Sequence, residues 1–203
     1  MTAPGKTQRA TQIAAIAGFL IALGLQSFAT RRATACLKPW VFFDLGNTLV
    51  TANPGKPMSY LPGAHEYVRQ LKRRGFRIGV ISNVPESWGH SSKTKVEKMK
   101  KTLMAEWSRD PLEDPMDWTD FSDALIFVPP RENYRKPAPY LFRAALSQVI
   151  LEEGETRCKV VFQGDDATEV ETAKKEGMIG FHVDRTSALP FFPLTDLERI
   201  VYH

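Results

Sequence analysis

The 203-residue chain carries 27 basic and 23 acidic side chains, a formal net charge of +4. Four of the basic residues, Lys6, Arg9, Arg31 and Arg32, fall in the first 35 positions, so 27 less 4 leaves 23 against 23 acidic groups, and the remainder is formally neutral. A nucleic-acid footprint needs a basic surplus on the domain itself, which this balance excludes overall, and two cysteines at no zinc-ligand spacing exclude a structural zinc site.

Residues 1–43 contain no Asp or Glu. Lys6 and Arg9 precede an apolar stretch from Ile13 to Leu25, and Ser27-Phe28-Ala29 and Ala33-Thr34-Ala35 both fit a small-residue cleavage site. This is the layout of a secretory signal peptide, so residues 1–35 are expected to be a leader, with the protein exported to the periplasm or outside the cell. The uncharged interval from Ala10 to Thr30 is 21 residues long, which also suits an uncleaved membrane anchor. Arg31 and Arg32 would then hold the domain on the cytoplasmic side, and only in that reading is a membrane a partner. A transit peptide and a core helix are the remaining alternatives. Cys36 and Cys158 either pair in an oxidising compartment or stay as two buried thiols.

Residues 36–203 suffice for one domain with its own core. In chain order, an apolar run at 40–44 reads as a strand. A helix is expected at 63–74, with Ala64, Val68 and Leu71 inward and Gly75 as its stop. A strand follows at 76–82. Segment 84–123 is longer than a simple connection. It holds an amphipathic helix at about 92–107 with Val96, Met99, Leu103 and Trp107 on one stripe. Lys93, Lys95, Lys98, Lys100 and Lys101 form its solvated face, or a patch that steers an anion. The stretch 110–120 reads as a loop able to fold over a site mouth. A strand at 124–128, a helix at 138–146, a strand at 159–163, a helix stop at Gly177 and a short strand at 180–183 complete the pattern. Strands alternating with helices imply a parallel sheet with crossover helices.

The polar residues at the strand ends carry the chemistry. Asp44 ends Trp40-Val41-Phe42-Phe43 and precedes Leu45-Gly46-Asn47-Thr48-Leu49. A carboxylate at the tip of a buried strand must be solvated, paired or bound to metal. At the carboxyl end of a parallel strand it faces the crevice where α/β proteins bind ligands. Ser82 and Asn83 end the second strand, Arg135-Lys136-Pro137 precedes the third helix, and Gln163-Gly164-Asp165-Asp166 ends the fourth strand, with Glu169 beyond it. Each alone is commonplace. Together and in this order, from about Trp40 to Val183, they resemble the four motifs of the haloacid dehalogenase-like (HAD) hydrolases, the first of which reads hhhhDxDxT.

That resemblance implies an α/β, three-layer Rossmann-like (HAD-like) fold with a central parallel sheet over residues 36–203. Only 12 residues, Leu49 to Tyr60, separate the first motif from the next helix, too few for a large cap there. Residues 84–123 are then an elaborated crossover, and the open site suits a bulky phosphorylated substrate or one presented by a partner. The resemblance further implies a Mg²⁺-dependent phosphohydrolase that cleaves a phosphate monoester through an aspartyl-phosphate on Asp44. Ser82, Asn83 and Lys136 would bind the phosphoryl oxygens, with Lys136 also catalytic. Asp44, the Gly46 carbonyl and Asp165 would hold the metal, as expected of a hard cation that takes one or two carboxylates. Asp166 and Glu169 would ligate directly, act through water, or simply favour a helix N-terminus. Gly46 departs from the motif, since the family's second Asp protonates the leaving oxygen. Glu86 and His90 are candidate substitutes. The departure keeps open a weak or inactive phosphate- and metal-binding protein, and hydrolysis of a carbon–halogen or carbon–phosphorus bond.

Overall fold

The computed structural model describes residues 38–51, 57–108, 114–153, 158–187 and 190–200. The expected leader lies outside these residues, as does Cys36. Among the described residues no helix is long and apolar enough to cross a membrane.

Strands β1 (Trp40–Phe43), β2 (Arg77–Ile81), β3 (Ile126–Phe127), β4 (Val160–Gly164) and β5 (Ile179–His182) form one sheet in the order β3-β2-β1-β4-β5. Every pairing is parallel. Helices α1 (Ala64–Arg73), α2 (Ser92–Glu106), α3 (Tyr140–Glu153), α4 (Ala167–Lys175) and α5 (Leu194–Arg199) cover its two faces. Val41 and Phe43 pack with Val68 and Leu71 of α1, Met99 and Leu103 of α2, and Leu197 of α5. Trp40 and Phe42 point the other way, into Phe142 and Ala145 of α3 and Val170 and Ala173 of α4. Both faces are thus covered, which is why β1 is apolar at every position instead of alternating. The result is the three-layer Rossmann-like α/β arrangement expected.

Several local signals act where the sequence places them. Gly63 and Gly75 bracket α1 with φ of 79° and 73°, a left-handed backbone that glycine adopts without strain. Ser91 and Thr94 form a reciprocal capping box at the start of α2, satisfying donors that a helix N-terminus leaves open. Gly79 has a different job. A Cβ there would lie 2.4 Å from the Phe42 ring and 2.5 Å from the Leu125 carbonyl, so only a bare backbone lets that aromatic lie across β2.

Three expectations change. Helix α3 runs to Glu153 instead of stopping at 146, because no Gly or Pro interrupts the chain from Tyr140 to Glu153. Strand β3 shrinks to two residues, because Asp123–Leu125 wind into a 3₁₀ turn closed by the Leu125 N–H on the Ser122 carbonyl at 2.8 Å. The lysine face of α2 is also broken. Lys95 is fully buried, donating to the Pro129 and Pro130 carbonyls at 2.9 and 3.0 Å. Lys100 pairs with Asp123 and lies 5.3 Å above the Trp118 ring. Lys93, Lys98 and Lys101 remain exposed, so the expected solvated face loses two of its five members. The described part of the loop at 110–120 packs on α1, where Asp120 meets Lys72 at 2.5 Å and Asp114 lies 3.8 Å from His65.

Candidate active site

From β1 the chain steps outward to β2 and β3 on one side, and through β4 to β5 on the other. The order reverses between β1 and β4, and the crevice beyond their carboxyl ends is where open α/β sheets bind ligands. Asp44 stands directly after β1, its N–H still bonded to the Gln163 carbonyl of β4 at 2.8 Å. Asp165 stands directly after β4. The topology therefore brings the two carboxylates to the same mouth.

Lys136 joins them from a third element. Its side chain is 1% exposed, and Nζ lies 2.6 Å from Asp44 Oδ1 and 2.6 Å from Glu169 Oε2. The contact with Asp44 has hydrogen-bond geometry, whereas that with Glu169 is an ion pair without it. Burial pushes the Asp44 carboxyl above its ordinary value, Lys136 opposes that rise, and Asp165 adds to it. Glu169 is raised by burial too, with Lys136 again opposing and Asp44 adding. One cation therefore holds two desolvated carboxylates that repel each other, an arrangement that stands only while the pairing is intact.

The resemblance would give Asn83 a place among the phosphoryl ligands, but the structure employs both ends of its amide elsewhere. Asn83 Oδ1 accepts the Lys136 N–H at 2.8 Å, and Nδ2 donates to the Lys136 carbonyl at 3.0 Å. Asn83 thus clamps the Lys136 backbone beside a cis Lys136–Pro137 bond. Ser82 is buried at the end of β2, and its N–H bonds to Phe127 of β3 at 3.0 Å. Its hydroxyl makes only a long 3.5 Å contact to the Asn83 carbonyl, which leaves it available to a ligand. Replacing Asn83 by Ala removes two partly buried hydrogen bonds. It should destabilise the fold by about 1–3 kcal/mol and lower any activity of the site, read as the denaturant midpoint and an activity assay. If neither changes, the clamp is not what holds Lys136.

The acidic residues after β4 divide their work. Asp166 caps α4, its carboxylate accepting the Thr168 and Glu169 N–H groups at 2.7 and 3.1 Å. Glu169 is committed to Lys136. Asp166 thus takes the helix-N-terminus alternative, and Glu169 partners the cation. Thr48 is fully buried. It donates to Asp165 Oδ1 at 3.3 Å and accepts the Asp165 N–H at 3.1 Å. The turn after β1 is thereby tied to the loop after β4. The closing Thr of the first motif is the signal that marks this residue, though spacing alone does not name its partner.

Among the described residues no group of three or more His, Cys, Asp or Glu forms a metal cluster. Two carboxylates that feel each other's charge, Asp44 and Asp165, still match the chemistry of Mg²⁺. That ion takes only one or two protein carboxylates and fills its remaining positions with water and substrate phosphate. The donor set fits Mg²⁺ and would not satisfy a metal that needs three or four side chains. Gly46 itself is half-buried and has no positive φ; the left-handed residue of the turn is Asn47, at φ 54°. Glu86 and His90, the candidate replacement acids, are both exposed and neither hydrogen-bonds Asp44.

No family model and no curated protein matches the chain. Its structure is similar to a HAD-superfamily hydrolase from Ehrlichia chaffeensis, at 15% identity over 81% of this chain and 97% of that one, with a TM-score of 0.48. It is also similar to an uncharacterized protein from Listeria monocytogenes serotype 4b, at 17% identity over 81% and 95%, with a TM-score of 0.46. A third is the N-terminal part of the protein BF1531 from Bacteroides fragilis, which contains a phosphatase domain complexed with Mg. That match has 18% identity over 71% and 35%, with a TM-score of 0.45.

Proposed function

We propose that the chain is a HAD-like hydrolase that cleaves phosphate monoesters, with Asp44 as nucleophile. The observation that carries this reading is the buried Lys136 ammonium, 2.6 Å from Asp44 at the reversal point of the sheet, with Asp165 across the same mouth. A carboxylate and a phosphate repel each other, so fixed positive charge beside the attacking oxygen is what the reaction needs. In the first step an Asp44 oxygen forms a bond to phosphorus while the bond to the leaving oxygen breaks, and that oxygen takes its proton from water. Water then attacks the aspartyl-phosphate, releasing inorganic phosphate and restoring Asp44. Lys136 and the Ser82 hydroxyl hold the equatorial oxygens, and Asn83 holds Lys136. Mg²⁺, carried by Asp44, Asp165 and the Gly46 carbonyl, would offset the charge that accumulates as the two anions meet.

The reading extends to an open site that takes a bulky phosphorylated substrate. It places the domain outside the cytoplasm behind a cleaved leader, with a membrane as partner only where the leader is retained. One observation favours a rival. Gly46 lacks the side chain that would protonate the leaving oxygen, which suits a weak enzyme or a phosphate-binding protein without turnover.

Leaving groups separate these. A p-nitrophenolate departs with little protonation, whereas an alkoxide needs a proton. The protein should cleave p-nitrophenyl phosphate far better than an alkyl phosphate, and only with Mg²⁺ present. Gly46→Asp should raise the alkyl-phosphate rate by up to about 10²-fold, the low end of what general acid–base help contributes. The backbone at Gly46 needs no positive φ, so the new side chain meets no left-handed strain. Phosphate binding with no turnover of either ester, in wild type and folded Gly46→Asp alike, would establish the binding protein instead.

A further inference from the structure

Lys95 lies in the first turn of α2, where the Ser91–Thr94 capping box holds the helix start and its own N–H bonds to the Ser91 carbonyl at 3.0 Å. The residue is fully buried, and its Nζ donates to the Pro129 and Pro130 carbonyls at 2.9 and 3.0 Å. Among the described residues it forms no ion pair. A charge taken out of water without an opposite charge is costly. An apolar side chain would fill the same place at lower cost, so the core alone does not account for a lysine here.

The two carbonyls belong to the segment that carries Lys136. After β3 the chain runs from Val128 to Lys136 outside the sheet. Pro129 and Pro130 have no N–H to offer, so polar contacts can hold the start of this segment only through its carbonyls. Further on, Glu132–Tyr134 form a 3₁₀ turn, with the Tyr134 N–H on the Arg131 carbonyl and the Arg135 N–H on the Glu132 carbonyl, both at 3.1 Å. Those bonds stiffen the segment without fixing it to the rest of the domain. Among the described residues, two side chains from other elements hydrogen-bond its backbone. Lys95 grips Pro129 and Pro130, and Asn83 grips the Lys136 N–H and carbonyl. Both come from one stretch of chain, Asn83 just past β2 and Lys95 in the helix that follows.

We infer that Lys95 is a positioning residue for Lys136, fixing the start of the segment that sets the Lys136 ammonium against Asp44. The inference rests on the phosphohydrolase reading and deepens it, by adding a second clamp to the one Asn83 supplies. A stiff segment held at one end swings about that end, and holding the other end stops it. Nζ of Lys136 meets Asp44 Oδ1 at 2.6 Å, a contact that a small swing would break. A misplacement of about 1 Å at a catalytic group can cost ~10²-fold in rate. An ammonium suits the task, because its donors sit on a flexible stem and reach two neighbouring carbonyls at once.

Titration calorimetry of inorganic phosphate into the full chain with Mg²⁺ tests this without relying on turnover. Wild type is compared with Lys95→Met, which keeps the length of the side chain and removes its donors, and with Leu103→Ala. Leu103 is buried on the same helix, so its variant loosens α2 while leaving both clamps in place and shows what lost stability alone does. Lys95→Met should weaken phosphate by about tenfold or more, whereas Leu103→Ala should keep the wild-type affinity. Unchanged affinity in folded Lys95→Met overturns the inference and leaves Lys95 a residue of the fold alone. Equal weakening in Leu103→Ala overturns it too. If Lys95→Met does not fold, Lys95→Gln, uncharged and shorter, is judged by the same comparison, and failure of both to fold also overturns the inference. A wild type that binds no phosphate overturns it together with the proposed function.

Discussion

Asp44→Asn is expected to abolish hydrolysis, with a loss on the order of 10⁴-fold or more, the scale met when a covalent nucleophile is removed. The amide has nearly the shape of the carboxylate but is a poor nucleophile. The fold should survive the change, because Lys136 keeps its second partner, Glu169, at 2.6 Å. The substitution also removes one of two mutually repelling carboxylates. Phosphate binding should therefore persist while turnover disappears. Rates on p-nitrophenyl phosphate and a thermal melt, taken on the same preparation, decide the matter. Turnover unchanged in a pure, folded Asp44→Asn protein would remove Asp44 from the mechanism and the phosphohydrolase reading with it.

Lys136→Met should cost both activity and stability. The side chains of Lys136, Asp44 and Glu169 are 1%, 14% and 9% exposed. Removing the cation leaves two desolvated carboxylates facing each other, which typically costs about 3–5 kcal/mol. The pH dependence has a definite sign. Asp44 and Glu169 both have folded pKa values raised above 3.8 and 4.5, burial being the first cause, with Lys136 opposing. A carboxyl whose folded pKa lies above its unfolded one destabilises the fold as it ionises, starting as the pH rises past the unfolded value. Lys136 limits that loss, so removing it enlarges the effect. The stability deficit of Lys136→Met should be greatest near neutral pH and shrink on acidification, as the carboxyls take up protons and need less countercharge. Denaturant titrations of wild type and variant at several pH values measure it. A deficit that grows on acidification would mean that the ammonium is not what stabilises these two groups.

The burial of Lys95 illustrates how the linear pattern misleads. Five lysines scattered over α2 look like one solvated face, because helical periodicity reports only the angle at which a residue leaves the helix. What stands opposite that angle is set by another part of the chain. Here it is the Pro129–Pro130 backbone, whose carbonyls lie where water would have been. Motif order puts Asn83 and Glu169 in the neighbourhood of Lys136 but does not name the partners they meet, for the same reason. Asn83 finds the Lys136 backbone 53 positions away, and no local rule chooses between that acceptor and a phosphate oxygen.

Much was determined by the sequence alone, because it depends on short-range chemistry. Apolar runs alternating with helical patterns announced buried parallel strands, and glycines marked helix ends. The placement of Asp44, Ser82, Lys136 and Asp165 at strand ends or a helix approach followed from those boundaries. The tertiary structure alone decided which polar group meets which. It paired Lys136 with both Asp44 and Glu169 and joined Thr48 to Asp165 across 117 positions. A side chain's periodicity is encoded in its neighbours along the chain. Its partner, and hence its charge state and function, depends on loops brought together by the reversal of strand order between β1 and β4.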